Sequence, residues 1–220
     1  STTVNVDLQT VSSSNPSLKA QYANNFDLGA EYYFEPVGMV SAGVFLKEMK
    51  DFIFTQGGIL IPAGPDNGFG GDYAGYNLTT QRNGGAAKVK GFELAYQQQF
   101  TFLPGWWSGF SFNANYTKLE ASGNYGGTTV LSTSQVAGFV PQSGSMGISY
   151  IKSKVTVRLQ MTYAGRFLRA YSTSPARLDY ARPQTIFNIK TVYQISRHYD
   201  FYLDVNNLFN EPDRNWEFYP

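Results

Sequence analysis

The sequence predicts an all-β chain, an antiparallel up-and-down transmembrane barrel wall of about eight strands. Three observations predict it. Apolar and polar residues alternate with period two in segment after segment, and helical periodicity is scarce. The 220 residues include 16 Tyr, 17 Phe and 22 Gly but only 15% charged side chains, a balance that suits strands, turns and aromatic girdles at a membrane interface. Finally, the connections alternate between short and long.

The first predicted strand, 25–35, sets Phe26, Leu28, Ala30, Tyr32 and Phe34 against Asp27, Gly29, Glu31, Tyr33 and Glu35. After a short turn at 35–38, the second runs through 39–56, with Val40, Ala42, Val44 and Leu46 opposite Ser41, Gly43, Phe45 and Lys47. A long Gly-rich loop (57–75) leads to the third strand, 86–100, and a short turn at 103–106 to the fourth, 107–119. A long loop (120–140) precedes strands five (142–151) and six (155–166), which are joined by a short turn at 151–154. A third long loop (168–183) leads to strand seven (184–195), and the turn 196–200 to strand eight, which begins at Phe201.

Alternation alone fits a soluble barrel as well as a membrane one. The strict short–long asymmetry favours the membrane, where short periplasmic turns face long extracellular loops. The polar faces agree. Asp27, Glu31, Glu93, Asn113, Asn115, Arg158, Lys190 and Asp204 suit a wet lumen and would be costly against lipid. No run of 18 apolar residues suggests a transmembrane helix, and mean hydropathy is −0.29. A net charge of +1 without a Lys/Arg cluster gives no case for nucleic acid. The absence of cysteine excludes disulfides, Cys-based metal sites and thiol catalysis. The opening Ser-Thr-Thr-Val-Asn-Val has no signal-peptide character, which is expected of a mature chain or one cut from something longer.

Four motifs go beyond pattern. NPSLKAQYANNFDLGAEYYF (15–34) resembles the Asn-Pro-x-Leu-Lys-Pro-Glu segment that leads into a strand of TonB-dependent outer-membrane receptors, with Ala20-Gln21 in place of Pro-Glu. GVFLKEMKDFI (43–53) resembles the family's next strand, NGGAAKVKGFELAYQ (83–97) its Asn…Ala-x-Val-x-Gly-x-Glu segment, and DVNNLFN (204–210) its Asn-Leu-Phe-Asn near the C-terminus. The resemblance implies an active transporter in the outer membrane of a Gram-negative bacterium, coupled to TonB through a plug domain. It implies that residues 1–220 are the C-terminal part of a plugged barrel of about 22 strands. Plug, TonB box and earlier strands would then lie upstream, and a closing strand beyond Pro220. The default cargo is an Fe(III)–siderophore, and a carbohydrate is the main rival. A small passive barrel is the third reading.

Candidate site residues lie near the predicted extracellular ends: Tyr73, Tyr76, Tyr125, Arg166, Arg169, Tyr171, Arg177, Tyr180, Arg182, Arg214 and Trp216. Aromatics stack on sugars or flat chelators, and arginine pairs bidentately with anionic oxygens. These side chains also suit contacts with neighbouring loops or lipopolysaccharide phosphate. Glu31, Glu93, Arg158 and Lys190 are expected to pair with each other or with the plug. Trp106 and Trp107 read as interfacial girdle residues. His198, the only histidine, lies two residues from Ser196 in one turn, a poor arrangement for a Ser–His hydrolase, so no enzyme is expected. Asp66 and Asp72 miss the Ca²⁺-loop spacing, and no metal or cofactor is expected beyond iron carried by the ligand.

Overall fold

The computed structural model describes residues 2–125, 133–172, 176, 178–213 and, for backbone alone, 215–217. In chain order the strands are β1 (Thr2–Asn5), β2 (Thr10–Ser13), β3 (Tyr22–Phe34), β4 (Gly38–Lys50), β5 (Ile53–Leu60), β6 (Asn77–Asn83), β7 (Ala86–Gln99), β8 (Phe110–Gly123), β9 (Gln142–Lys152), β10 (Val155–Ala164), β11 (Phe167–Ser172), β12 (Asp179–Ala181), β13 (Gln184–Gln194), β14 (Asp200–Val205) and β15 (Asn215–Glu217). A 3-10 turn, Gly105–Gly109, precedes β8.

Two sheets result. An eight-stranded antiparallel sheet, ordered β14-β13-β10-β9-β8-β7-β4-β3, forms the wall. Its strands correspond one for one to the eight that the periodicity predicts. A seven-stranded sheet, ordered β1-β2-β6-β5-β11-β12-β15, gathers segments from the long connections at one end.

The wall has two chemically opposite faces. On one, Leu28 faces Val44, Val44 faces Phe92, Ala114 faces Met146, Met146 faces Met161 and Met161 faces Phe187. Leu28 is 74% exposed and Phe26 61%, so these side chains have no protein neighbour above them. Leaving a large apolar side chain in water costs about 1.5–3 kcal/mol, so this face needs hydrocarbon as its solvent. On the other face Gly43 pairs with Glu93, Glu93 with Thr117, Asn115 with Ser145, and Arg158 with Lys190. The amide ends of Asn113 and Gln160 fill the space that a side chain at Gly147 would take.

The upper edge of the apolar belt crosses the strands obliquely. On the outward face the first polar residues are Asn24, Glu48, Lys90, Lys118 and Gln142. Asn24 and Glu48 share a register row, Lys90 lies one row lower, and Lys118 and Gln142 one row lower still. That drop, about 13 Å over three to four strand spacings of about 4.8 Å, tilts the strands by roughly 35–45°, as in membrane barrels.

The structure corrects the sequence reading where long-range pairing intervenes. The segment 39–56 is two strands. Asp51, at φ 54°, ends β4 and turns the chain into β5, which joins the second sheet. The loop predicted at 57–75 is strand to Leu60, and the loop at 168–183 contains β11 and β12. The strand predicted from 107 begins at Phe110, after the 3-10 turn that carries Trp106 and Trp107, whose rings stack at 3.9 Å. β1 and β2 have no counterpart in the sequence reading. Arg158 and Lys190 are like-charged neighbours, and among the described residues neither pairs with Glu31 or Glu93. Glu31 instead accepts the Tyr33 O–H at 2.6 Å.

Two motifs acquire physical roles. Asn83 clasps the segment before β3: its Nδ2 donates to the carbonyls of Lys19 (3.0 Å) and Asp51 (2.8 Å), and its Oδ1 accepts the Lys19 N–H (2.8 Å). Asn15 Nδ2 donates to the Gln81 carbonyl, and Gln21 Oε1 accepts the Ile53 N–H, each at 3.0 Å. At the other end Asn207, at φ 53°, terminates β14. Its side chain exchanges two 2.8 Å bonds with the Glu211 backbone, Leu208 N–H donates to the Phe187 carbonyl, and Phe209 packs edge-on against Phe187.

Two outcomes follow. Asn83→Ala removes three hydrogen bonds worth about 1 kcal/mol each, so tryptic cleavage after Lys19 in the folded protein should accelerate by at least tenfold; an unchanged rate would show that the clasp does not hold this segment. Val44→Arg places a charge in the belt and should cost about 2–4 kcal/mol, read as a lower unfolding midpoint in detergent or bilayers. Ser41→Arg, facing the polar side, should cost far less.

Candidate functional site

The long connections form a layer with its own core. Met49, Phe52, Phe54, Val89, Tyr125 and Leu168 belong to a buried cluster, against which Phe45 and Leu119 of the wall pack. The cluster therefore lies on the polar face of the wall, at the loop end. Phe54 meets Tyr125 and Tyr171 edge-on at 4.7 and 5.5 Å, and Tyr125 and Tyr171 stack at 3.9 Å with 13° between planes. Both tyrosines are 4% exposed. The Tyr125 O–H donates to the Gln135 carbonyl. Burial pushes the Tyr125 phenol above its ordinary value of 10.0.

A second cluster caps the 61–76 loop. Tyr73 packs against Phe69 at 5.9 Å and Tyr76 at 5.7 Å. Asn67 organises this loop. Its Oδ1 accepts the N–H groups of Phe69 and Gly71, and its Nδ2 donates to the carbonyls of Pro62 and Asp72. Left-handed glycines such as Gly68 and Gly70 let four backbone groups converge on one amide. The sequence reading missed Asn67, although an Asn amid glycines is the available signal.

The arginines gather along β11 and β12. Phe167 faces Ala181, so Arg166 and Arg182, each one residue outside that pair, stand opposite one another. The Arg166 guanidinium lies 4.2 Å above the Tyr180 ring, and the Tyr180 O–H donates to Gln135 Oε1 at 3.3 Å. A bulge between Leu168 and Ala170 turns Arg169 out, where its Nε sits 3.9 Å from Asp179 Oδ2. A cleft of about 370 Å³ opens beside this group, lined among others by Glu120, Gln135, Phe139, Arg166 and Tyr180.

The structure thus sorts the predicted residues. It sets Arg166 over the Tyr180 ring with Arg182 across the strand pair, and ties Arg169 to Asp179. It places Tyr125 and Tyr171 in the core beneath, and Tyr73 and Tyr76 on a separate apex. Arg177 and Arg214 lie outside the described residues, as does the side chain of Trp216, whose backbone pairs with Tyr180. Chemically, arginine suits planar anionic oxygens, and an aromatic ring beside it adds a cation–π contact.

The family model described as "TonB dependent receptor-like, beta-barrel" matches residues 2–208. No curated protein matches the chain. Among solved structures, a variant of the ferric enterobactin receptor PfeA from Pseudomonas aeruginosa is similar at 19% identity, over 89% of this chain and 26% of that one, with a TM-score of 0.57. The copper transporter OprC is similar at 15% identity, over 92% and 28%, with a TM-score of 0.64. The ferric yersiniabactin uptake receptor FyuA from Yersinia pestis is similar at 16% identity, over 86% and 25%, with a TM-score of 0.59. The chain therefore spans about a quarter of the length of these structures.

Tyr125 carries a pH signature. Because its folded phenol holds its proton more tightly than an unfolded one, its stabilising contribution is complete below pH 10 and declines as pH rises beyond it. In a 295 nm titration, the difference between the wild-type protein and Tyr125→Phe should stay flat through pH 10–11. A difference curve centred at the ordinary tyrosine value would show that the ring is solvated.

Proposed function

The chain belongs to the TonB-dependent receptor β-barrel family, and from that membership we propose that the native protein imports an Fe(III)–siderophore across the outer membrane. Proteins of this family are outer-membrane barrels of Gram-negative bacteria and import small solutes. On this reading, residues 1–220 supply the C-terminal part of the barrel wall and several of its surface loops. Cargo binds at the loop end, and TonB, acting through the plug, supplies the energy. The step is transport, with no covalent chemistry on the cargo.

The observation that carries the siderophore reading is the grouping of Arg166 and Arg182 across the end of β11–β12, with Arg166 stacked on Tyr180 beside a cleft. Ferric chelates of the catecholate and carboxylate kinds are anionic, with oxygens in planar groups. Arg166 and Arg182, placed across one strand pair, match that chemistry better than they match a neutral sugar. The ferric-siderophore receptors among the similar structures fit this choice, while their identity to the chain supports the fold alone.

The test is uptake of ⁵⁵Fe–siderophore by iron-starved cells. The double variant Arg166→Ala/Arg182→Ala should weaken surface binding of the chelate by roughly 10–100-fold, as expected for the loss of charge-assisted hydrogen bonds worth about 1.5–3 kcal/mol. Loss of TonB should abolish uptake and leave binding intact. Unchanged iron uptake in a strain that lacks this protein, together with lost growth on an oligosaccharide, would overturn the iron reading and point to a carbohydrate.

A further inference from the structure

We propose that Asn67-Gly68, on the apex formed by the 61–76 loop, is a self-deamidation site, at which the protein converts its own asparagine into aspartate and isoaspartate. The site is separate from the arginine group and does not depend on which cargo the protein carries.

The chain holds two Asn-Gly dipeptides, Asn67-Gly68 and Asn83-Gly84. Glycine leaves its amide nitrogen unshielded by a side chain, so the nitrogen that follows each asparagine can approach the side-chain carbonyl and close a five-membered ring. The structure treats the two sites differently. Gly68 is exposed and lies at φ 86°, and among the described residues its N–H makes no hydrogen bond. Gly84 is buried, its N–H donates to the Phe52 carbonyl at 2.6 Å, and a Cβ there would collide with the Phe52 ring. The nucleophile is free at 68 and tied up at 84.

The electrophile is prepared as well. Asn67 Oδ1 accepts the N–H groups of Phe69 at 2.9 Å and Gly71 at 3.0 Å. The first of these bonds closes an Asx turn, which folds the side chain back over the following peptide and brings Cγ toward the Gly68 nitrogen. Both N–H groups point at the oxygen on which negative charge develops when that nitrogen attacks, the arrangement of an oxyanion hole. Among the described residues Asn83 Oδ1 accepts a single N–H, from Lys19.

The reaction balances with water as the only co-reactant. The Gly68 nitrogen bonds to Asn67 Cγ, the Cγ–Nδ2 bond breaks, and the proton of that nitrogen leaves with the amide group as ammonia. Water then opens the succinimide at either carbonyl, which gives aspartate or isoaspartate. The product is a carboxylate, which only accepts hydrogen bonds. The carbonyls of Pro62 and Asp72 therefore lose the Nδ2 donor that reaches them at 3.2 and 2.8 Å, and a negative charge stands beside them instead. Residues 51–81 contain no Lys or Arg, so no side chain of this segment offsets that charge. The junction that holds Phe69, Tyr73 and Tyr76 together then comes apart.

The test incubates the native protein in detergent at mildly alkaline pH and maps aspartate and isoaspartate by peptide mass spectrometry. With each site scaled to its own rate in denaturant, conversion at Asn67 should exceed that at Asn83 by roughly tenfold or more, because Gly84 must first open locally. Asn83 keeping pace with Asn67 in the folded protein would overturn the proposal. So would an Asn67 that stays intact over the interval in which the denatured chain converts. Asn67→Gln, whose longer side chain would have to close a six-membered ring, should abolish conversion at this position. Asn67→Asp reproduces one product and should raise chymotryptic cleavage after Phe69 and Tyr73, while heat-modifiable mobility on gels verifies that the wall is folded. Unchanged cleavage would show that the modification leaves the apex as it was, against the proposed loss of its junction.

Discussion

A chain that crosses hydrocarbon has no water to satisfy its backbone, so every N–H and C=O in the belt must find a partner on a neighbouring strand. The antiparallel ladder from β14 to β3 meets that demand with long, continuous registers, ten pairs between β10 and β13 and thirteen between β3 and β4. Once the ladder is fixed, period two does the rest. Each strand must send one set of side chains to lipid and the other to the interior, and a slip of one residue would exchange them. The oblique edge of the apolar belt is the visible consequence of strands that lean as they cross the bilayer.

The same demand relaxes above the belt, and the architecture changes there. β5, β6, β11 and β12 leave the wall and pair among themselves, with β2 joining β6 and β11 joining β5 in parallel fashion. Asymmetric loops could have been independent flaps. Instead they share one sheet and one aromatic core, in which Phe54, Tyr125 and Tyr171 come from three different connections. Asn83 and Asn67 anchor this layer with amide groups that each serve several backbone partners, which is efficient where the chain makes no regular ladder.

This arrangement divides labour by depth. Apolar rings face lipid in the belt, and lysines flank it on the outside. The stacked tyrosines stabilise the loop layer from beneath, and arginines stand at the end of the β11–β12 ladder. The two faces of one wall thereby present different chemistry to different solvents.

By itself the sequence determined the strand count of the wall, the identity of its two faces and the end on which the long connections lie. All three follow from alternation and loop length, which are local properties of the chain. Asn-Leu-Phe-Asn and the Asn-Pro segment were legible as motifs, but their work as a strand terminator and a clasp appears only when Phe187 and Asn83 are brought beside them. The tertiary structure alone decided the second sheet. Its partners, such as Gln56 and Tyr171, are over a hundred residues apart, and IFTQGGIL carries no clear period because two glycines interrupt it. It also decided which candidate residues sit together. Arg166 and Arg182 are set across from one another by the β11–β12 register, whereas Tyr125 and Tyr171 stack in a core assembled from separate loops, and no spacing along the chain encodes either placement.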